Sequence, residues 1–173
     1  MRYVIACLLS DEALNFHENL TNDICKKYEV KRQRLPGHFT LKAPFETDNI
    51  DELLHILKEF SFQNSKAPIE LKNYGHFRED VVYMSVYPST AAVQIYDNLI
   101  DVLKTIKWLE WKKNEGTGRI FHCTLISKIP KGKFQGIWNY SNQFKFHFNT
   151  FFDNITVLRW EKDKWGIYEE FKL

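Results

Sequence analysis

The chain has 173 residues, with 24 Lys+Arg against 22 Asp+Glu for a formal net charge of +2, and 44% of its residues are hydrophobic. Only 7 Gly and 5 Pro accompany that apolar mass, which excludes disorder, collagen-like repeats and low-complexity linkers and leaves one domain with a real core. A charge this close to neutral excludes a basic coat, so any nucleic-acid contact must be a local groove.

The first apolar stretch, Tyr3 to Leu9, is followed at once by Ser10, Asp11 and Glu12. It is too short for a membrane span or a signal core and reads as a buried strand. Cys7, Cys25 and Cys123 are an odd number without a pairing pattern, which argues for free thiols in a reducing compartment. A cytoplasmic monomer without a membrane partner is expected. Ser10 is placed to cap a helix with Asp11 and Glu12 in its first turn and Ala13, Phe16, Leu20, Ile24 and Tyr28 at helical spacing. Lys31 to Gly37 is a basic loop, His38 to Phe45 a strand, and Asp51 to Phe60 a helix with Leu53, Leu54, Leu57 and Phe60 on one face. Ile69 to Phe77 and Val81 to Tyr87 form a hairpin around Arg78-Glu79-Asp80.

After Pro88 the pattern begins again. Ser89 or Thr90 caps a helix with Ala92, Ile95, Leu99, Val102, Leu103 and Ile106 as its stripe, and loop chemistry follows at Asn114 to Gly118. Arg119 to Ser127 is the next strand, and a second hairpin, Phe151 to Trp160 with Trp165 to Phe171, turns at Glu161 to Lys164. The order strand, helix, His-x-Thr strand, short helix, hairpin therefore occurs twice, over about 1–80 and 81–173. This predicts one two-lobed domain of the α+β class, with two mostly antiparallel sheets flanking a central cleft and helices packed outside.

The chemistry lies in the two matched strands, His38-Phe39-Thr40-Leu41 and His122-Cys123-Thr124-Leu125, 84 residues apart. Residues i and i+2 share a strand face, so each strand offers an imidazole and a hydroxyl to one space and apolar side chains to the other. Burying four such polar groups without partners would be costly, which suggests a pocket. Two imidazoles across a pocket can act as general base and general acid, and the threonine hydroxyls can hold non-bridging phosphate oxygens.

The paired His-x-Thr-hydrophobic motifs in a duplicated chain resemble the two-histidine phosphoesterase superfamily, which includes the 2'-5' RNA ligase and cyclic phosphodiesterase group. The resemblance implies a bilobal fold and metal-independent action on 2',3'-cyclic phosphates or 2'-5' linkages of nucleotides or RNA ends. By motif position it makes His38 and His122 the acid/base pair and Thr40 and Thr124 the phosphate anchors, with no cofactor. Hydrolysis and 2'-5' ligation would use the same groups.

Other residues have competing readings. Lys42 shares the face of His38 and Thr40, and Lys128 lies beyond Thr124; either can attract phosphate or be a solvated strand end. Arg32 and Arg34 can touch an RNA backbone or simply be solvated. Tyr74 and Phe77 are base-stacking candidates, with core packing as the alternative. Zinc is disfavoured, because His122 and Cys123 point to opposite faces and no zinc spacing occurs. A nucleotide- or RNA-binding module with little chemistry, or an unrelated metal-dependent phosphatase or nuclease, are the remaining function classes.

Overall fold

Strand alternation sorts side chains onto two faces, and that sorting builds the molecule. The computed structural model describes residues 1–173. Its elements in chain order are β1 (Arg2–Leu8), α1 (Asp11–Tyr28), β2 (His38–Glu46), α2 (Asp51–Gln63), β3 (Ala67–Phe77), β4 (Val81–Pro88), α3 (Thr90–Leu103), β5 (His122–Ser127), α4 (Phe134–Ser141), β6 (His147–Phe152), β7 (Asn154–Glu161) and β8 (Lys164–Lys172). Tyr3, Ile5 and Cys7 of β1, Phe39 and Leu41 of β2, Val82, Met84 and Val86 of β4, and Cys123 and Leu125 of β5 all enter one core. The same core takes Leu20 and Ile24 of α1, Leu53 and Leu57 of α2, Leu99 and Leu103 of α3, and Ile137 of α4, so the helices cover this face. Val4 and Ala6 of β1 turn the other way and pack with Leu158, Leu35 and Trp165.

All strand pairs are antiparallel. The two expected sheets are halves of a single eight-stranded sheet in the order β6-β3-β4-β5-β2-β1-β7-β8. The halves join at β2 and β5, where Phe39 pairs with Cys123. Each half interleaves the two sequence repeats: β5, β4, β3 and β6 form one, and β2, β1, β7 and β8 the other. The repeat boundary near residue 80 thus falls inside one half-sheet, between its paired strands β3 and β4.

Local signals place some boundaries and long-range contacts the others. Ser89 caps α3, its side chain accepting from the Ala92 N–H at 3.2 Å. Ser10 occupies the equivalent position on α1 but makes no side-chain cap bond, contrary to expectation. The expected strand from Arg119 starts only at His122, because the preceding connection is held in a loop by long-range contacts. Tyr96 donates from its hydroxyl to the Gly116 carbonyl at 3.1 Å, and its ring meets Phe121 edge-on at 4.8 Å. Gly116 and Gly118 have φ of 107° and 75°, which their lack of Cβ permits. The last hairpin begins at Asn154. Phe151 belongs instead to β6, which crosses to the edge of β3. No helix is long and apolar enough to cross a membrane.

Candidate active site

The β2–β5 junction brings the two motifs together. With Phe39 opposite Cys123 in an antiparallel pair, one step either way puts His38 across from Thr124 and Thr40 across from His122. The two histidines are then diagonal neighbours, about 7–8 Å apart along the sheet.

Both rings are oriented in the same way. His38 Nδ1 lies 2.7 Å from the Pro36 carbonyl and His122 Nδ1 lies 3.0 Å from the Ile120 carbonyl, in each case two residues upstream. A carbonyl only accepts, so Nδ1 carries the proton and donates, and Nε2 of each neutral ring is left with its lone pair. The backbone of the motif itself therefore fixes the tautomer.

The environments differ. His38 is only 7% exposed, and His122 is half-buried. Burial lowers the His38 pKa to about 4; the Pro36 carbonyl works against this, while the positive charges of His17, His122 and Arg119 work with it. Burial and Arg119 also lower His122, opposed by its bond to Ile120. Phe77 meets the His122 ring edge-on at 4.9 Å, and Tyr83 lies 5.1 Å from it. His122 thus sits in an aromatic corner that His38 lacks.

The other residues singled out from the sequence separate clearly. Thr40 and Thr124 flank the pair as half-buried hydroxyls. Phe77 faces the site. Tyr74 lies three residues before it on a strand whose register shifts between Leu71 and Tyr74, and it faces the helices. There Tyr74 donates to the Phe144 carbonyl at 2.7 Å and packs on Phe146 at 4.9 Å, so it is a core contact and not a base platform. The Lys42 side chain is 1% exposed, with Nζ 2.8 Å from Glu115 Oε2. Its anion is thus an internal carboxylate, and no charge is left over for phosphate. Burial pushes Cys123 up to about 12, as suits a core thiol, and all three cysteines are free. No group of three or more His, Cys, Asp or Glu side chains converges to chelate an ion.

Three neighbours escaped the sequence reading. Tyr83 could have been found from the alternation of Val82, Met84 and Val86, which leaves residue 83 on the site face. Arg119 has no counterpart in the first repeat, where Leu35 holds the matching position. Its charge reaches both histidines and makes the site attractive to an anion. His17 of α1 is buried with Nε2 2.9 Å from the Thr124 carbonyl, and its ring packs against Gly37, where an added Cβ would lie 3.0 Å from Nδ1. It links the backbone of both motifs, a role that helical periodicity does not reveal.

An antiparallel sheet that presents two inward His-x-Thr motifs at its junction defines the two-histidine phosphoesterase class. Residues 9–164 match the 2'-5' RNA ligase superfamily, and the chain belongs to that family. A protein of Geobacillus sp. strain WCH70 that carries a phosphoesterase name is 24% identical, over 99% of this chain and 95% of its own length. A similarly named protein of Bacillus pumilus strain SAFR-032 is 24% identical over 90% of each chain. Among solved structures, TT0787 of Thermus thermophilus superposes with a TM-score of 0.69 at 14% identity, covering 100% of this chain and 98% of its own. Usb1 of Kluyveromyces marxianus with uridine monophosphate superposes at 0.50 with 9% identity, over 99% and 98% of the chains. The likeness in structure is one of fold; the family assignment makes the chain phosphoesterase- or ligase-like.

Proposed function

We propose that the protein is a metal-independent phosphodiesterase that opens 2',3'-cyclic phosphates, or cleaves 2'-5' phosphodiester bonds, of nucleotides or RNA ends. The observation that carries this reading is the matched pair of Nδ1-anchored imidazoles on adjoining strands. By strand alternation and the Phe39–Cys123 register the two residues share one face of the sheet as diagonal neighbours, with a threonine opposite each.

His38 is the base in this reading: the Pro36 carbonyl holds its Nδ1–H and burial keeps the ring neutral, which leaves the Nε2 lone pair to take a proton from water. The water oxygen bonds to phosphorus, the bond from phosphorus to a ribose oxygen breaks, and His122, which takes up a proton at Nε2 once the phosphate anion lies beside it and offsets the burial that otherwise keeps the ring neutral, gives that proton to the leaving oxygen. Thr40 and Thr124 donate to the non-bridging oxygens, and the Arg119 charge favours the extra negative charge of the transition state over the monoanionic ground state. With a sugar 5'-hydroxyl in place of water the same sequence is ligation. Phe77, edge-on to His122, is the surface available to a base.

Turnover of 2',3'-cyclic mononucleotides by the wild type and by His38→Ala, His122→Ala and the double variant tests this. Each single change removes about 10²–10⁴-fold of kcat, with the circular dichroism spectrum retained and no loss of wild-type rate in EDTA. Full activity of the double variant overturns the assignment. Nucleotide binding without turnover of any cyclic or 2'-5' substrate would reduce the protein to a binding module.

A further inference from the structure

The two motif strands lead to a second feature of the surface. β5 runs from His122 to Ser127 antiparallel to β2, so its far end lies beside the segment that leads into His38. At that end a cleft of about 670 Å³ opens between the loop Lys31 to Leu35, the residues Ser127 and Lys128, and the β7–β8 hairpin. Ser127 is three residues beyond Thr124, about 10 Å along the strand.

The charge of this cleft is out of proportion to the molecule. Lys31, Arg32, Arg34 and Lys128 line it against a single carboxylate, Glu29, for a net +3. The whole chain carries +2, so everything outside the cleft nets −1. Arg32 is taken up by Glu18 of α1, but Lys31, Arg34 and Lys128 enter no side-chain ion pair. Arg34 is also held in place: its guanidinium lies over the Trp160 ring at 5.3 Å and donates from Nη1 to the Asp163 carbonyl at 3.0 Å. A guanidinium fixed by one acceptor and one aromatic face keeps its remaining N–H groups for an outside acceptor. At the opposite end of β2 the flanking cleft holds Lys42 and Lys112 against Glu46 and Glu110 and is charge-balanced. Of the two clefts that flank the ends of β2, the one at Lys31 to Leu35 suits a polyanion.

We propose that this cleft is a binding track for single-stranded RNA, taking the phosphates of nucleotides upstream of the terminal one that reacts at the histidines. The inference rests on the phosphodiesterase reading and narrows it: the preferred substrate is the end of a chain and not a free cyclic mononucleotide. Backbone phosphates bind Lys31, Arg34 and Lys128, so affinity is insensitive to sequence and steep in salt.

The test uses the full chain and a 5'-fluorescent eight-nucleotide RNA ending in a 3'-phosphate, read by anisotropy from 50 to 300 mM salt. The comparison is between wild type, the neutralised variant K31Q/R34Q/K128Q and the charge-keeping variant K31R/R34K/K128R. All three positions are exposed, so the fold persists, and thermal melting checks it. Neutralisation weakens binding at least tenfold and lowers the slope of log affinity against log salt by about 2, at roughly 0.7 per phosphate released from single strands. The charge-keeping variant stays near wild type, and kcat/KM for a cyclic mononucleotide is the same within twofold in all three proteins. Unchanged affinity and slope after neutralisation overturn the track. So does equal competition by poly-glutamate or by duplex RNA of the same length, which would reduce it to a general polyanion surface. If no protein turns over any phosphodiester, the catalytic reading fails by itself, and anisotropy still decides the track.

Discussion

The buried proton site at His38 makes a pH prediction whose size follows from its surroundings. An exposed histidine in the unfolded chain titrates near 6.5, whereas burial and the charges of His17, His122 and Arg119 lower folded His38 to about 4. Between those values the unfolded chain binds more protons than the folded one, so lowering the pH stabilises the unfolded state. Stability therefore rises with pH across this window, and moving from pH 7.5 to 4 costs the fold about 3 kcal/mol through this one ring, at 1.36 kcal/mol per unit. His38→Gln removes the titration and leaves the carboxylates and the other histidines in place, so their contributions largely cancel when the two proteins are compared. Urea unfolding followed by tryptophan fluorescence, at half-unit steps from pH 7.5 to 4, gives both stabilities. The variant gains on the wild type by about 3 kcal/mol on going to pH 4. A stability difference that stays flat over the whole range would mean that folded His38 protonates as freely as an exposed ring, and the argument for a neutral Nε2 base would be lost.

Two further predictions concern the scaffold. Lys42→Met strands the Glu115 carboxylate in the interior and costs about 3–5 kcal/mol by urea unfolding, while Lys42→Met/Glu115→Leu recovers most of it; a single variant as stable as wild type would show that the pair does not hold the connection before β5. An added Cβ at Gly75 would lie 2.4 Å from the Tyr83 ring, which is itself packed against Phe77 and His122. Gly75→Ala should thus cost about 1–3 kcal/mol by overpacking and lower kcat on a cyclic nucleotide, and Gly75→Ala/Tyr83→Leu should restore the stability; unaltered stability and rate in the single variant would free His122 from this aromatic support.

What the letters by themselves determined was local. Strand periodicity put His38 with Thr40 and His122 with Thr124 on common faces, because alternate strand residues point the same way whatever they pair with. Apolar stripes at helical spacing located α1, α2 and α3, with Ser89 marking the start of α3, while α4 went unmarked. Tertiary structure decided everything that depends on which strand lies beside which. It joined the expected two sheets at Phe39 and Cys123, mixed the repeats within each half-sheet, and detached β6 from the hairpin that follows it. A register shift in β3 sent Tyr74 to the helices and left Phe77 by His122. A residue 73 positions away in the chain took the charge of Lys42. Pairing partners, register and buried counter-charges arise from long-range packing, which no window of sequence contains, whereas the direction of a side chain along its own strand is set by the backbone at that residue.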